Sequence, residues 1–304
     1  MEAAGKKDSL ERKIAELGDK AWLPHELLTL VETICRLQRE VKASLRIAVA
    51  PEQVCGDLEH RQGAPLLARD LFPVDEAGAE TLFRKLLDVT ESLSQLRTPS
   101  QLLRDKLVRG EIRLPELFRA YALENAEPFT AWATEAPDAP NLLPFLIYNS
   151  MEPWLEAVGE TLSAAYPLAD VWQHGHCPVC GSPAFIGHLS APEPSRNEGR
   201  DINKGGKRLH TCSYCRTTFR AKRIQCPFCL EEDAKMLDYF TVDSEPGYQV
   251  HTCRSCKSYI KIADFRELTG REFLAALDDL ESLPLDMAAQ QEDFHRVAPS
   301  EWGL

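Results

Sequence analysis

The sequence predicts an α+β multidomain protein: an N-terminal all-α helical domain, two small four-cysteine β modules of zinc-ribbon or rubredoxin-like type, and a C-terminal helix. Three observations carry this. Apolar residues recur at helical spacing through the first 170 or so positions, eight of the ten cysteines fall in four Cys-x-x-Cys pairs, and the helical period disappears between those pairs. The corresponding boundaries are 1–170 for the helical domain, 171–224 and 225–264 for the two modules, and 265–304 for the C-terminal helix and tail.

Taken in order, Leu27, Leu30, Ile34, Leu37 and Val41 follow alternating steps of three and four, the stripe of a helix running from after Pro24 to about Ala48. Leu82, Leu86, Val89, Leu93 and Leu96 make a second stripe that stops before Thr98-Pro99, where Thr98 can cap the next helix and Pro99 suits its first turn. Further helices are expected over about 99–108, 115–124 and 144–165, with breaks at Arg61-Gln62-Gly63-Ala64-Pro65, Arg109-Gly110 and the proline-rich 136–140. Between about Asp170 and Phe265, short runs rich in Thr, Tyr, Phe and Ile read as strands of hairpins. Helix returns from Phe265 to about Gln291, with Phe273, Leu277, Leu280 and Leu283 as its buried side and Pro284 as a bend or break. Ala298 to Leu304 read as a tail, and 192–207, rich in Gly, Pro and charge, as a mobile hairpin tip.

A length of 304 residues with 44% hydrophobic content is enough for a sizeable core, and the formal charge is -12. That balance argues against a protein that coats nucleic acid through its overall field. The charge is unevenly divided: Cys177 to Ile262 carries 13 Lys/Arg against 9 Asp/Glu, a balance of +4, which leaves -16 for the rest. The longest apolar run, Leu142 to Tyr148, is too short to span a membrane. The N-terminal stretch lacks an apolar export segment and the chain has no Arg-Arg pair, so the expected location is cytoplasmic.

The most informative feature is an internal repeat. Cys177-Pro178-Val179-Cys180 is followed at a distance by His210-Thr211-Cys212-Ser213-Tyr214-Cys215. Cys226-Pro227-Phe228-Cys229 is followed in the same way by His251-Thr252-Cys253-Arg254-Ser255-Cys256. Pairing within copies puts Cys177, Cys180, Cys212 and Cys215 on one metal ion and Cys226, Cys229, Cys253 and Cys256 on another. Two residues between cysteines let the chain turn so that both thiolates face one ion, and two such turns complete a tetrahedron. Four sulfurs leave no open position for water or substrate, and they suit Zn or Fe alike. Redox dithiols are the competing reading, although the strand-to-helix setting of such motifs is missing.

Other groups are secondary candidates. His210 and His251 stand two residues before a ligand in each copy and suit packing or support of the ligands. Arg208, Arg216, Arg220, Lys222 and Arg223 form a basic cluster with Tyr214 and Phe219 interleaved, which suits a solvated face, an acidic protein partner or nucleic acid. His174 and His176 read as linker residues, and Cys35 and Cys55 as small packing residues.

The run from Arg208 through Cys215, continuing by Thr218-Phe219 and Arg223-Ile224 into Cys226-Pro227-Phe228-Cys229, resembles the formate dehydrogenase accessory protein (FdhE) family. So do Cys253 to Ile262 and the acidic stretch Asp278 to Asp286. The resemblance is specific from about Cys177 to Arg296, with a longer loop between Cys180 and Cys212 than the family has. It implies a cytoplasmic, non-enzymatic factor for a molybdenum- or tungsten-dependent formate dehydrogenase, acting on the catalytic subunit before assembly or export. It also implies an N-terminal helical domain and two tetrathiolate sites for zinc or iron, carried by the eight cysteines above. Without a nucleotide loop or a nucleophile and base, the residues themselves favour holding a partner over turning over a substrate. A zinc-ribbon nucleic-acid binder and a redox-active iron or dithiol protein serving the same client are the alternatives.

Overall fold

The computed structural model describes residues 8–191 and 206–302. Most of the expected hairpin tip, 192–205, lies outside the described residues. The chain divides into two compact units, one formed by Met1–Ile47, Pro73–Trp154 and Glu301–Gly303, the other by Ala48–Phe72 and Leu155–Ser300 with Leu304.

The first unit is helical. It contains α1 (Ser9–Gly18) and α2 (His25–Ser44); after α3 (Asp57–Arg61), which belongs to the other unit, come α4 (Glu76–Ser92), α5 (Arg97–Val108), α6 (Leu114–Ala122), α7 (Glu127–Glu135) and the first part of α8 (Leu142–Ala165). α1 packs on α2, α2 on α4, and α4 on α5 and α6. On α2 the buried residues are Leu30, Val31, Ile34 and Gln38, so the expected stripe is turned toward Gln38 and leaves Leu37 and Val41 half-buried. Gln38 is accepted inside because its amide donates to the carbonyl and side-chain oxygens of Asn149 at 3.1 and 3.0 Å. α4 stops at Ser92, short of Leu93 and Leu96, and α5 begins at Arg97, so Thr98 lies inside its first turn and makes no cap. Ser100 and Thr90 instead join the two helices through a buried hydroxyl pair at 3.0 Å.

The second unit is built on one sheet. β1 (Ala184–Leu189), β2 (Arg208–Cys212) and β3 (Thr218–Arg220) come from the first cysteine repeat, and β4 (Leu237–Phe240), β5 (Tyr248–Cys253) and β6 (Ser258–Asp264) from the second. The order is β3-β2-β1-β6-β5-β4, antiparallel within each repeat. The repeats meet through parallel pairing of β1 with β6, Ile186 opposite Lys261 through Leu189 opposite Asp264. The expected modules therefore share a single sheet. Segment 48–72, expected in the helical domain, travels with this unit, because the N–H groups of Leu66 and Leu67 donate to the carbonyls of Pro178 and Val179 at 2.9 Å.

The expected C-terminal helix is two. α9 (Ala275–Glu281) ends at Ser282, and α10 (Leu283–Gln291) restarts with Pro284 in its first turn, where proline is tolerated. β7 (His295–Arg296) then pairs with β6. Within the described part of the stretch read as a tail, Ala298 and Trp302 are packed, 1% and 6% exposed. Tyr248, Val250, Tyr259, Ala263, Leu268, Leu285 and Ala289 form an apolar core on one face of the sheet.

Candidate metal centres

Each cluster is assembled from two turns. Cys177 and Cys180 lie just before β1, Cys212 ends β2, and Cys215 precedes β3. Cys226 and Cys229 lie before β4, Cys253 ends β5, and Cys256 precedes β6. In each set of four the sulfurs lie within 4.8 Å of one another. The contacts are 3.6 Å for Cys177 to Cys215, 3.3 Å for Cys180 to Cys212, 3.7 Å for Cys226 to Cys256 and 3.6 Å for Cys229 to Cys253. A tetrahedron with metal–sulfur bonds of about 2.3 Å has edges of about 3.8 Å, so both sets fit a metal ion. None of the ten cysteines is in a disulfide, and these separations are far beyond the ~2.05 Å of such a bond.

The turns supply more than sulfur. Backbone N–H groups point at Cys177 Sγ from Val179, at Cys212 Sγ from Tyr214 and Cys215, and at Cys226 Sγ from Phe228, over 3.3 to 3.4 Å. The residue after each second cysteine is left-handed: Gly181 at φ +80°, Arg216 at +58°, Leu230 at +62° and Lys257 at +59°. Only Gly181 advertises this in the sequence, since the other three side chains carry strain there.

Surroundings separate the clusters. The first is sealed, its four cysteines 0 to 4% exposed. Gly159 of α8 lies against it: a Cβ there would come 2.6 Å from the Cys215 carbonyl, which explains a glycine in mid-helix. The second is partly open, with Cys229 exposed and Cys256 half-buried. Burial pushes the Cys177 and Cys215 thiols well up. At Cys256 burial is outweighed by hydrogen bonds from Ser258, and the thiol is drawn down to about 7.

The secondary candidates are placed as follows. His210 is 1% exposed with neither ring nitrogen hydrogen-bonded, and its ring meets Phe219 edge-on. His251 shares a 3.0 Å hydrogen bond with Gln249. No hydrogen bond joins either ring to a cysteine sulfur among the described residues. Burial, reinforced by Arg208, holds both imidazoles neutral, His251 at about 3. In the basic cluster Arg216 lies over the Phe185 ring, Arg220 pairs with Asp170 at 2.8 Å, Lys222 with Glu232 at 2.7 Å, and Arg223 donates to the Gly206 carbonyl. Arg208 is buried, where an exposed residue was expected. His174 and His176, read as linker, join Trp172 in an aromatic cluster, with His60 stacked on the indole.

Sequence reasoning missed the ionic core behind the sheet. Lys261 is 1% exposed and meets Asp279 at 2.9 Å and Asp286 at 2.5 Å, while Arg296 reaches the same carboxylates at 2.6 and 3.2 Å. Tyr259 donates to Asp286, and Tyr248 to Asp278 and Glu281. These bonds fasten α9 and α10 to β5 and β6. The signal was the density of acids beside Leu277, Leu280 and Leu285, too many for a helix face otherwise apolar.

The geometry defines a class, proteins with a helical unit and two four-cysteine centres on one continuous sheet. Residues 224–302 match the family described as FdhE, C-terminal domain. Two FdhE homologues align, one from Aquifex aeolicus at 31% identity over 52% of this chain and 50% of its own length, the other from Pseudomonas putida at 33% over 52% and 47%. The matched stretch thus spans about half the length of these relatives. The crystal structure of the FdhE protein from Pseudomonas aeruginosa superposes over 97% of this chain and 93% of its own, with a TM-score of 0.63 and 23% identity. The C-terminal part of the chain is thus similar to the FdhE C-terminal domain, and its fold along nearly the whole length is similar to that of the FdhE crystal structure.

Proposed function

We propose that the protein is an accessory factor for formate dehydrogenase that binds the enzyme's catalytic subunit in the cytoplasm and catalyses no reaction itself. The observation that carries this reading is the pair of four-sulfur centres on one sheet, in a chain whose residues 224–302 match the FdhE C-terminal domain. Cys177, Cys180, Cys212 and Cys215 hold one ion and Cys226, Cys229, Cys253 and Cys256 the other. Bound zinc would supply folding energy, and bound iron would add a one-electron couple. The helical segment 1–170 supplies a second contact to the client, beside modules 171–224 and 225–264 and the C-terminal segment 265–304. No described helix is long and apolar enough to cross a membrane.

The test is co-purification of the full-length protein with the catalytic subunit under reducing conditions, together with deletion of its gene. Association and lost formate dehydrogenase activity are expected. No association and unchanged activity would sink the reading. The exposure of Cys229 favours one version of this role, in which the second centre is redox-active. Reddish charge-transfer bands after anaerobic purification support it, and a colourless zinc protein removes it.

A further inference from the structure

One face of the sheet is hollow beside the second cluster. The cavity there measures about 460 Å³, within the range of ligand sites, and is lined from β2, β4, β5 and the segment joining β3 to Cys226. Arg208, Arg223 and Arg266 line it, against a single carboxylate, Asp238, which is already paired with Arg254 at 3.0 Å. Arg266 is held by Asp264.

Arg208 has no such partner. It is 5% exposed, its Nη1 donates to the carbonyls of Lys222, Arg223 and Gln225, and its Nε meets no acceptor. Among the described residues no carboxylate pairs with it. A buried guanidinium without a counter-charge is costly, and an anion meeting it removes that cost. Cys226 faces the same cavity and offsets part of the charge, and Arg208 forms part of the cavity wall, where an acceptor from outside can approach the guanidinium.

The walls indicate what carries that acceptor. Ile224 and Tyr239 line the cavity yet are 58% and 61% exposed, and Leu230, next to Cys229, is 42% exposed. Tyrosine and arginine are enriched in protein interfaces, and apolar side chains grouped at the rim of a cavity fit such a surface. A small anion would be served by the arginines alone and leave these side chains uncovered.

We propose that this cavity receives an acidic segment of a partner polypeptide, its carboxylate turned to Arg208 and a neighbouring apolar side chain lying on Ile224 and Tyr239. The proposal rests on the accessory reading, with the catalytic subunit of formate dehydrogenase as partner.

The experiment places benzoylphenylalanine at Ile224 or Tyr239 of the full-length protein, and at Val108 of the helical unit as a control. Each is irradiated with the purified catalytic subunit, and the adducts are mapped by mass spectrometry. Adducts are expected from Ile224 and Tyr239, within a few residues of an Asp or Glu of the client. Arg223→Glu at the rim should lower their yield about fivefold at unchanged metal content, as reversing a part-exposed charge does. If the two proteins co-purify but neither position crosslinks, if the captured segment has no carboxylate, or if the adduct is nucleic acid, the pocket proposal is overturned and the accessory reading stands. If the two proteins do not associate at all, the accessory reading falls and the pocket proposal with it.

Discussion

The two cysteine clusters share one sequence frame and one turn geometry, yet one is sealed and the other partly open. The first lies between the chain at Val179 and Tyr214, the latter covered by Arg69 and Phe72, and the backbone of α8 at Gly159. The second sits toward the β4 end of the sheet, where Cys229 is exposed and the 460 Å³ cavity opens behind Cys226 and Cys253. The repeat thus sets how sulfur is presented, and the neighbours decide who can reach it. A sealed tetrathiolate suits a structural role, whereas an open one can meet a client or a reagent.

The largest effect should come from the sealed cluster. Replacing Cys177, Cys180, Cys212 and Cys215 together with Ser should release the metal of the first centre and strongly destabilise the second unit, since metal ligation in small zinc domains supplies on the order of 10–16 kcal/mol. Circular dichroism and metal analysis would show this. Cys229→Ser should leave the fold cooperative, and equal losses from the two changes would break the comparison. In native protein, a thiol reagent should modify the second cluster before the first.

Next is the ionic core that ties α9 and α10 to the sheet under the second repeat. Lys261→Met leaves Asp279 and Asp286 buried beside Arg296 alone and should cost about 3–5 kcal/mol in denaturant titration, as breaking a buried ion pair does. A loss below about 1 kcal/mol would mean that Arg296 suffices. Acid should act on the same core. Burial works against ionising Asp279, but Arg296 and Lys261 hold its carboxyl at about 2. Because this lies below the unfolded value, the stabilisation is present above about pH 4 and is lost as pH falls toward 2, on the order of 2 kcal/mol. Asp279→Asn should flatten that part of the pH–stability curve.

The smallest effect concerns turn geometry. Leu230→Gly removes a left-handed leucine and should raise stability by up to about 1 kcal/mol, whereas Gly181→Ala should lower it by a similar amount. Opposite signs in thermal melts would show that the four turns are equivalent and that only their surroundings differ.

What could be read in the sequence was local. Cys-x-x-Cys spacing places both sulfurs on one turn, so the two sets of four followed from the repeat, and the stripes at Leu30, Ile34, Leu82 and Leu86 marked real helix faces. What could not be read depends on distant residues. The pairing of Ile186 with Lys261 joins strands far apart in the chain, and nothing in either strand names the other. Lys261, Asp279 and Asp286 look like surface residues until each is seen to neutralise another. Gly159 reads as a weak spot in a helix until Cys215 is found against it.

The order of the strands has one more consequence. Because β1 meets β6 in parallel, the repeats are joined head to tail, and such a contact is heterologous: it uses two different surfaces and does not close on itself. The complementary edges are left at the two ends, on β3 and β4, where further copies could in principle add without limit. The molecule blunts both. β3 has only three residues and ends in Arg220, with Ala221 bridged to Trp172, and β4 has four and carries the Asp238–Arg254 ion pair. Polymerisation control is thus built into the ends of the same sheet that positions the two centres, and lengthening either edge strand should show itself first as filaments.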